Sequence, residues 1–374
     1  MFLERGNSEL KQIIFLLFFT ISTLVFADGE FTKEDWITGT YSSGMYSPKV
    51  FPPSGNPLPL TKKDLTEQEL QIVKNSNEFF DSAYSNLGFL MLDKGQIVNE
   101  RYRRGLDGNT KFFSWSMSKS LTSYTVGYAL CTGKIKSLDD IAGIYANNIK
   151  DNVFGKSTIK QLLTMSSGAP RPSDDGGVNG TEWFDTTRGL KPLVYFLNQY
   201  GVDQINPNEF TYNNSNTHAL MYVVDGADNF SKLFEQSIWL KSRPASSSTW
   251  LMDSNKNLIS ASGFSSTLED WGRLAIESIN MRKGVNGECI KNYMKDATTY
   301  KTKDLLRDRF FGYGYQTWVD PRPNSQIYLW LGAYGQWTVI DPVSEKILVI
   351  FRNKLNREDN NQILKIFRTW IKTN

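Results

Sequence analysis

The chain has 374 residues, of which 40% are hydrophobic and 22% charged, with a net charge of +3. This length and apolar content can bury a sizeable core, which excludes a disordered chain and points to one large or two interleaved domains. Lys and Arg are scattered rather than run together, so the sequence shows no basic footprint of a nucleic-acid binder.

Arg5 and Lys11 precede a largely apolar run over residues 13–26, which ends at Ala27 before Asp28-Gly29. This is the layout of an export signal over residues 1–27, with Ala27 at the cleavage position and a periplasmic or secreted mature chain. An uncleaved N-terminal anchor is the alternative, although the run is short for a span. No membrane span is expected once the signal is removed. Residues 28–60 are rich in Gly, Ser and Pro and are expected to lie over the surface as an extended arm.

One domain is expected over residues 61–374. Residues 66–84 have helical periodicity, with Leu70, Val73, Phe79 and Phe80 on one apolar face. Residues 87–92 and 97–102, joined through Asp93-Lys94-Gly95-Gln96, read as a hairpin. A long helix is predicted over 116–131, and the chain from about 116 to 280 reads as helices and irregular loops. Strands return at 312–319, 327–331, 336–340 and 347–351, and a helix closes the chain at 360–371. The expected fold class is α+β: one antiparallel sheet flanked by helices and split by an inserted, mostly helical domain. Cys131 and Cys289 can pair in an oxidising compartment or stay buried and free, and the second is the expectation. Neither has a Cys or His neighbour at metal-ligand spacing, so no metal is expected.

The chemistry concentrates at Ser116-Met117-Ser118-Lys119. This spacing sets a hydroxyl and an amine one helical turn apart, where they can exchange a proton without a histidine. The same Ser-x-x-Lys spacing occurs at Ser8 and Lys11, inside the export signal, and at Ser157 and Lys160, in a polar turn. Only Ser116 follows a strand pair and opens a long helical stretch, whose N-terminus favours negative charge developing at that serine.

The order of segments resembles the serine β-lactamase and penicillin-binding-protein superfamily. The likeness is to its class C-like branch of esterases, D-amino-peptidases and 6-aminohexanoate-dimer hydrolases, from about residue 60 onward. It rests on Ser114-Trp115 ahead of the Ser116 motif, on Ser137-Leu138-Asp139-Asp140 and on Leu162-Leu163-Thr164-Met165-Ser166-Ser167-Gly168. Phe210-Thr211-Tyr212-Asn213-Asn214-Ser215-Asn216-Thr217 and Gly332-Ala333-Tyr334-Gly335-Gln336 complete it.

The resemblance implies a nucleophilic Ser116, with Lys119 and Tyr212 sharing the proton transfers. Tyr212-Asn213-Asn214 is the Tyr-x-Asn motif, and Tyr84 and Tyr145, which open the same triplet, lie at the wrong places in the order. Asn214 is then placed to orient Lys119 or a substrate carbonyl, with Asn216 competing for that role. The third motif of such enzymes begins with Lys or His, where this chain has Ala333, which removes the cation that recognises a substrate carboxylate. Its backbone role survives, with N–H groups of Ser116 and Gln336 as the oxyanion donors and Gly335 and Tyr334 lining the pocket.

Trp183 is the candidate substrate contact in a loop over 173–184 that reads as a lid or as a plain polar connection. His218, the only histidine, has no Gly-x-Ser-x-Gly elbow to accompany it and reads as structural. The implied function is an exported serine hydrolase that cleaves a small-molecule ester or short linear amide through an acyl-enzyme, without cofactor. A β-lactamase or D-alanyl-D-alanine peptidase is one alternative. A non-catalytic cell-envelope binding module of the same fold is the other.

Overall fold

Eight consecutive buried residues, Asn86 to Asp93, form the strand on which the fold is organised. The computed structural model describes residues 48–170, 191–204, 206–299, 301–303, 311–354 and 357–373. In chain order its strands are Lys49–Phe51 (β1), Thr61–Lys62 (β2), Asn86–Asp93 (β3), Gln96–Tyr102 (β4), Lys111–Phe113 (β5), Ser248–Trp250 (β6), Phe264–Thr267 (β7), Thr302–Lys303 (β8), Gly312–Tyr313 (β9), Trp318–Val319 (β10), Tyr328–Gly332 (β11), Gln336–Asp341 (β12) and Lys346–Arg352 (β13). The longest helices are Glu67–Ser82 (α1), Ser118–Cys131 (α2), Asn214–Ala227 (α3), Leu268–Lys283 (α4), Glu288–Ala297 (α5) and Arg357–Trp370 (α6).

The main sheet runs β2-β4-β3-β13-β12-β11-β10-β9-β8. Every pairing is antiparallel except the short parallel contact of β2 with β4. Alternation along β3 explains its continuous apolar run, because both faces are covered. Leu90 and Leu92 join the core shared with α2 and α4, whereas Phe89 and Met91 face Phe79, Ile363, Phe367 and Trp370 on the other side. Each such fully buried side chain contributes about 1.5–3 kcal/mol. Gly272 lets α4 approach the sheet, since a Cβ there would sit 2.7 Å from Leu92 Cδ1.

Helix α1 begins where the sequence signals it. Thr66 caps the helix and exchanges a capping box with Glu69. Buried Glu69 is in turn paired with Lys63 at 2.6 Å, and Lys63 also pairs with Asp93. The predicted hairpin of β3 and β4 is present, and β13 adds to its free edge, so an early strand and the last strand meet in one sheet.

Helix α2 is buried on nearly all sides. Its small hydroxyl residues are tolerated because each finds a partner: Ser120 donates to Gln316 O at 2.8 Å, Thr122 to Ser260 O at 2.9 Å, and Ser123 shares a 2.9 Å bond with Tyr293 OH. Gly127 admits the Tyr293 ring at a distance that a side chain would deny.

Four expectations need correction. A second, four-stranded sheet of order β1-β6-β7-β5 stands beside the main one, so the inserted region is not only helix and loop. Of the arm expected over 28–60, residues 28–47 lie outside the described structure and 52–60 are exposed or half-buried, but 49–51 form β1, where fully buried Phe51 meets Phe234 and Trp250 edge-on. The strand predicted over 312–319 is two short strands, β9 and β10, reversed at a turn where Gln316 takes a φ of +52°. Cys131 and Cys289 form a disulfide joining the end of α2 to the start of α5, with their Cα atoms 5.7 Å apart. The helix packing brings them together, which residue spacing could not reveal. Residues 1–47 lie outside the described structure, the export-signal segment included. Among the described residues no helix is long and apolar enough to cross a membrane.

Candidate active site

Strand β5 ends at Phe113, and the chain turns sharply before entering α2. Ser114 N donates to Phe264 O at 2.8 Å and Ser114 Oγ lies 2.6 Å from Ser118 Oγ, which fixes both ends of the turn. Between them Trp115 takes a φ of +46°, a left-handed conformation that costs a bulky residue energy. Ser116 therefore sits in a 3₁₀ turn, Trp115–Met117, immediately before α2 rather than within it, a correction to the helix start expected at Ser116. It is half-buried.

Lys119 is 1% exposed. Its Nζ donates to Ser116 Oγ at 2.7 Å and to the Ala261 carbonyl at 3.0 Å. Burial holds its pKa well below the ordinary lysine range, because an ammonium deprived of water is disfavoured. Lys119 Nζ also lies 5.1 Å from the centre of the Tyr212 ring.

Tyr212 comes from the segment leading into α3. Its ring stacks on Trp318 at 5.6 Å and meets Tyr313 edge-on. Met165, in a left-handed conformation at φ +56°, holds the backbone on either side of it. The Met165 carbonyl accepts Thr211 N–H at 2.8 Å and its sulfur accepts Asn213 N–H at 3.5 Å. Asn213 caps α3 through Ser215 N at 2.9 Å. Asn214 is half-buried at the first position of α3. Asn216 is instead buried, its amide turned to Met165 Sδ at 3.6 Å.

The facing wall is the turn between β11 and β12. Gly332 passes so close to the Ser114 carbonyl that a Cβ would collide with it, which brings this wall against the Ser116 turn. Tyr334 and Gly335 both have positive φ, +59° and +92°. Tyr334 is 42% exposed and its ring is 5.2 Å from Trp115. Gln336 is buried, and its side chain clasps the β13 backbone: its amide donates to Arg352 O and its carbonyl accepts Arg352 N–H at 3.1 Å.

His218 is engaged elsewhere. Its Nδ1 lies 3.1 Å from Ser260 Oγ. Burial, aided by the nearby Lys119 charge, pushes its pKa down to about 3. Trp183 and the loop over 173–184 lie outside the described residues. Sequence reasoning missed the Ala261 carbonyl, the Trp318 ring and the two bonds from Met165, although Met165 stands in one of the quoted segments. Among the described residues no group of three or more His, Cys, Asp or Glu is placed to hold a metal ion.

The arrangement therefore pairs a hydroxyl with a buried amine whose neutral form is favoured, beside a phenol and opposite a glycine turn. The fold that carries it matches several solved structures. A Bacillus anthracis protein assigned as a 6-aminohexanoate-dimer hydrolase superposes with a TM-score of 0.73 at 19% identity, over 87% of this chain and 90% of that one. The hydrolase EstCE1, described as having promiscuous acyltransferase activity, gives 0.62 at 14% identity over 81% and 99%. A mutant class C beta-lactamase gives 0.61 at 14% identity over 83% and 99%. The beta-lactamase family profile matches residues 81–368, most of the chain. With that match and this fold, the chain belongs to the beta-lactamase family of serine hydrolases.

Proposed function

We propose that this protein cleaves an ester or short linear amide through an acyl-enzyme on Ser116. The observation that carries the reading is Lys119 Nζ, buried and held toward its neutral form, 2.7 Å from Ser116 Oγ. A neutral amine takes the hydroxyl proton as Oγ attacks the carbonyl. Tyr212 passes a proton to the leaving alcohol or amine as the C–O or C–N bond breaks. The N–H groups of Ser116 and Gln336 hold the negative oxygen of the tetrahedral intermediate. Water then attacks the acyl carbon and gives a proton to Lys119 and Tyr212, which pass it to Ser116 Oγ as the acyl C–Oγ bond breaks and the acid leaves. Asn214 orients Lys119 or the substrate carbonyl.

Ala333 offers no cation for a substrate carboxylate, and half-exposed Tyr334 beside Trp115 offers an apolar shelf instead. This favours an uncharged ester or amide over a β-lactam or peptidoglycan stem peptide. Trp183 remains a proposed substrate contact. We also place the mature protein outside the cytoplasm, a reading supported by the signal-like N-terminus and by the Cys131–Cys289 disulfide, which persists in oxidising compartments.

The test is hydrolysis of a p-nitrophenyl ester, a linear ω-amino-acid dimer and a chromogenic cephalosporin by the wild type and by Ser116→Ala. Ester or amide turnover that disappears in Ser116→Ala supports the proposal. A preference for the cephalosporin overturns the substrate class. Absence of turnover, together with no labelling of Ser116 by a fluorophosphonate, overturns the catalytic reading in favour of a binding module.

A further inference from the structure

Arg352 closes β13 directly behind the turn that carries Gln336. It is 1% exposed. Its Nε donates to the Gly335 carbonyl at 3.3 Å, and its guanidinium donates to Asn360 Oδ1 on α6 at 2.7 Å. Gly335 has no room for a side chain because a Cβ there would overlap this guanidinium. Arg352 N–H and C=O are also the two groups that the Gln336 side chain clasps.

The Gly335 carbonyl and the Gln336 N–H belong to one peptide unit. A cation donating to the carbonyl end withdraws electron density through the amide and makes the N–H end a stronger donor, the cooperative effect seen along hydrogen-bonded chains. The bond is charge-assisted, and burial lets the field of the cation reach the pocket with little screening. We propose that Arg352 is a positioning residue that polarises the Gly335–Gln336 peptide and so tunes its N–H toward a developing oxyanion. This inference rests on the acyl-enzyme reading above, in which Gln336 N–H faces the reacting oxygen. Gly335 is then required twice, for its left-handed φ and for the approach of the guanidinium.

The test compares wild type, Arg352→Met and Asn360→Asp after acylation of Ser116 by a p-nitrophenyl ester labelled with ¹³C at the carbonyl. The readouts are the infrared carbonyl band of the adduct, the acylation rate and KM. Arg352→Met should move the band to higher wavenumber and slow acylation by about tenfold, less than the loss of a whole oxyanion donor, with KM changed little. Asn360→Asp keeps Arg352 in place and sets a carboxylate against its charge. It should give the same changes at smaller size, about threefold in rate, and it serves if Arg352→Met does not fold. A purely structural role predicts lowered stability in Arg352→Met, with band and rate untouched in Asn360→Asp. That result, with a wild-type adduct in hand, overturns this inference alone. A wild type that neither forms an adduct nor turns over the ester overturns the acyl-enzyme reading and this inference together.

Discussion

The two walls of the cleft are built on opposite principles. On the helical wall, Ser116, Lys119 and Tyr212 present side chains, and their placement depends on buried polar contacts such as Lys119 with Ala261 and the Met165 bonds around Tyr212. On the sheet wall, from Gly332 to Gln336, the main chain itself is presented, shaped by positive φ and by the absence of side chains. The first wall can be damaged by changing a functional group and the second only by changing the path of the backbone. The first should therefore fail abruptly and in a pH-dependent way, and the second by degrees.

Ser116→Ala should lower kcat/KM by about 10⁴-fold or more, as loss of a nucleophile does elsewhere. Lys119→Arg, which places a permanent charge there and cannot accept a proton, should fall nearly as far. In the wild type kcat/KM should rise with pH through the lowered pKa of Lys119, well below the ordinary lysine value near 10.5. A rise that begins only near that ordinary value sinks the neutral-amine assignment.

His218 provides the next largest effect, in stability. Its pKa is about 3 in the folded protein against 6.5 ordinarily, so between those values the unfolded chain binds the extra proton. The contribution of His218 is then complete above pH 6.5 and is lost as pH falls toward 3, by up to about 5 kcal/mol. His218→Gln should flatten that acid limb in urea titrations. An unchanged slope would show that other groups set it.

Replacing both cysteines, Cys131→Ser with Cys289→Ser, should cost about 2–4 kcal/mol of unfolding free energy. Turnover at low temperature should survive, since the disulfide links α2 to α5 at the end of α2 remote from Ser116. Matched loss of activity in the folded double variant would tie the disulfide to the site. Smallest is Gly335→Ala, expected to reduce kcat/KM by about 10–100-fold, since one oxyanion donor is displaced rather than removed. Because the change strains φ and crowds Arg352, its deficit should appear in kcat more than in KM.

The same contrast governs what the sequence could reveal. Local signals were legible: the helical period over 66–84, the Asp93-Lys94-Gly95-Gln96 turn, and the spacing that sets Lys119 one turn from Ser116. The α+β class followed from the order of elements. The small sheet was not legible because its strands, three or four residues each, come from three separate parts of the chain and carry no measurable period. The split of 312–319 into two strands turned on Gln316, whose left-handed φ has no glycine to announce it. The Ala261 carbonyl and the Arg352 guanidinium were invisible for a different reason. Each reaches the site through tertiary packing, and neither carries a spacing to the residue it touches.

The pairing of β3 with β13 carries a temporal consequence. Strand β3 pairs with β4 at once, but it gains its second neighbour, β13, only when nearly all of the chain is present, and such long-range closure is slow. Until it happens, Ser116 and Lys119 have no Gln336 opposite them. On the proposed mechanism a nascent or truncated chain is thus an inert precursor, and hydrolytic competence arrives only with the last strands.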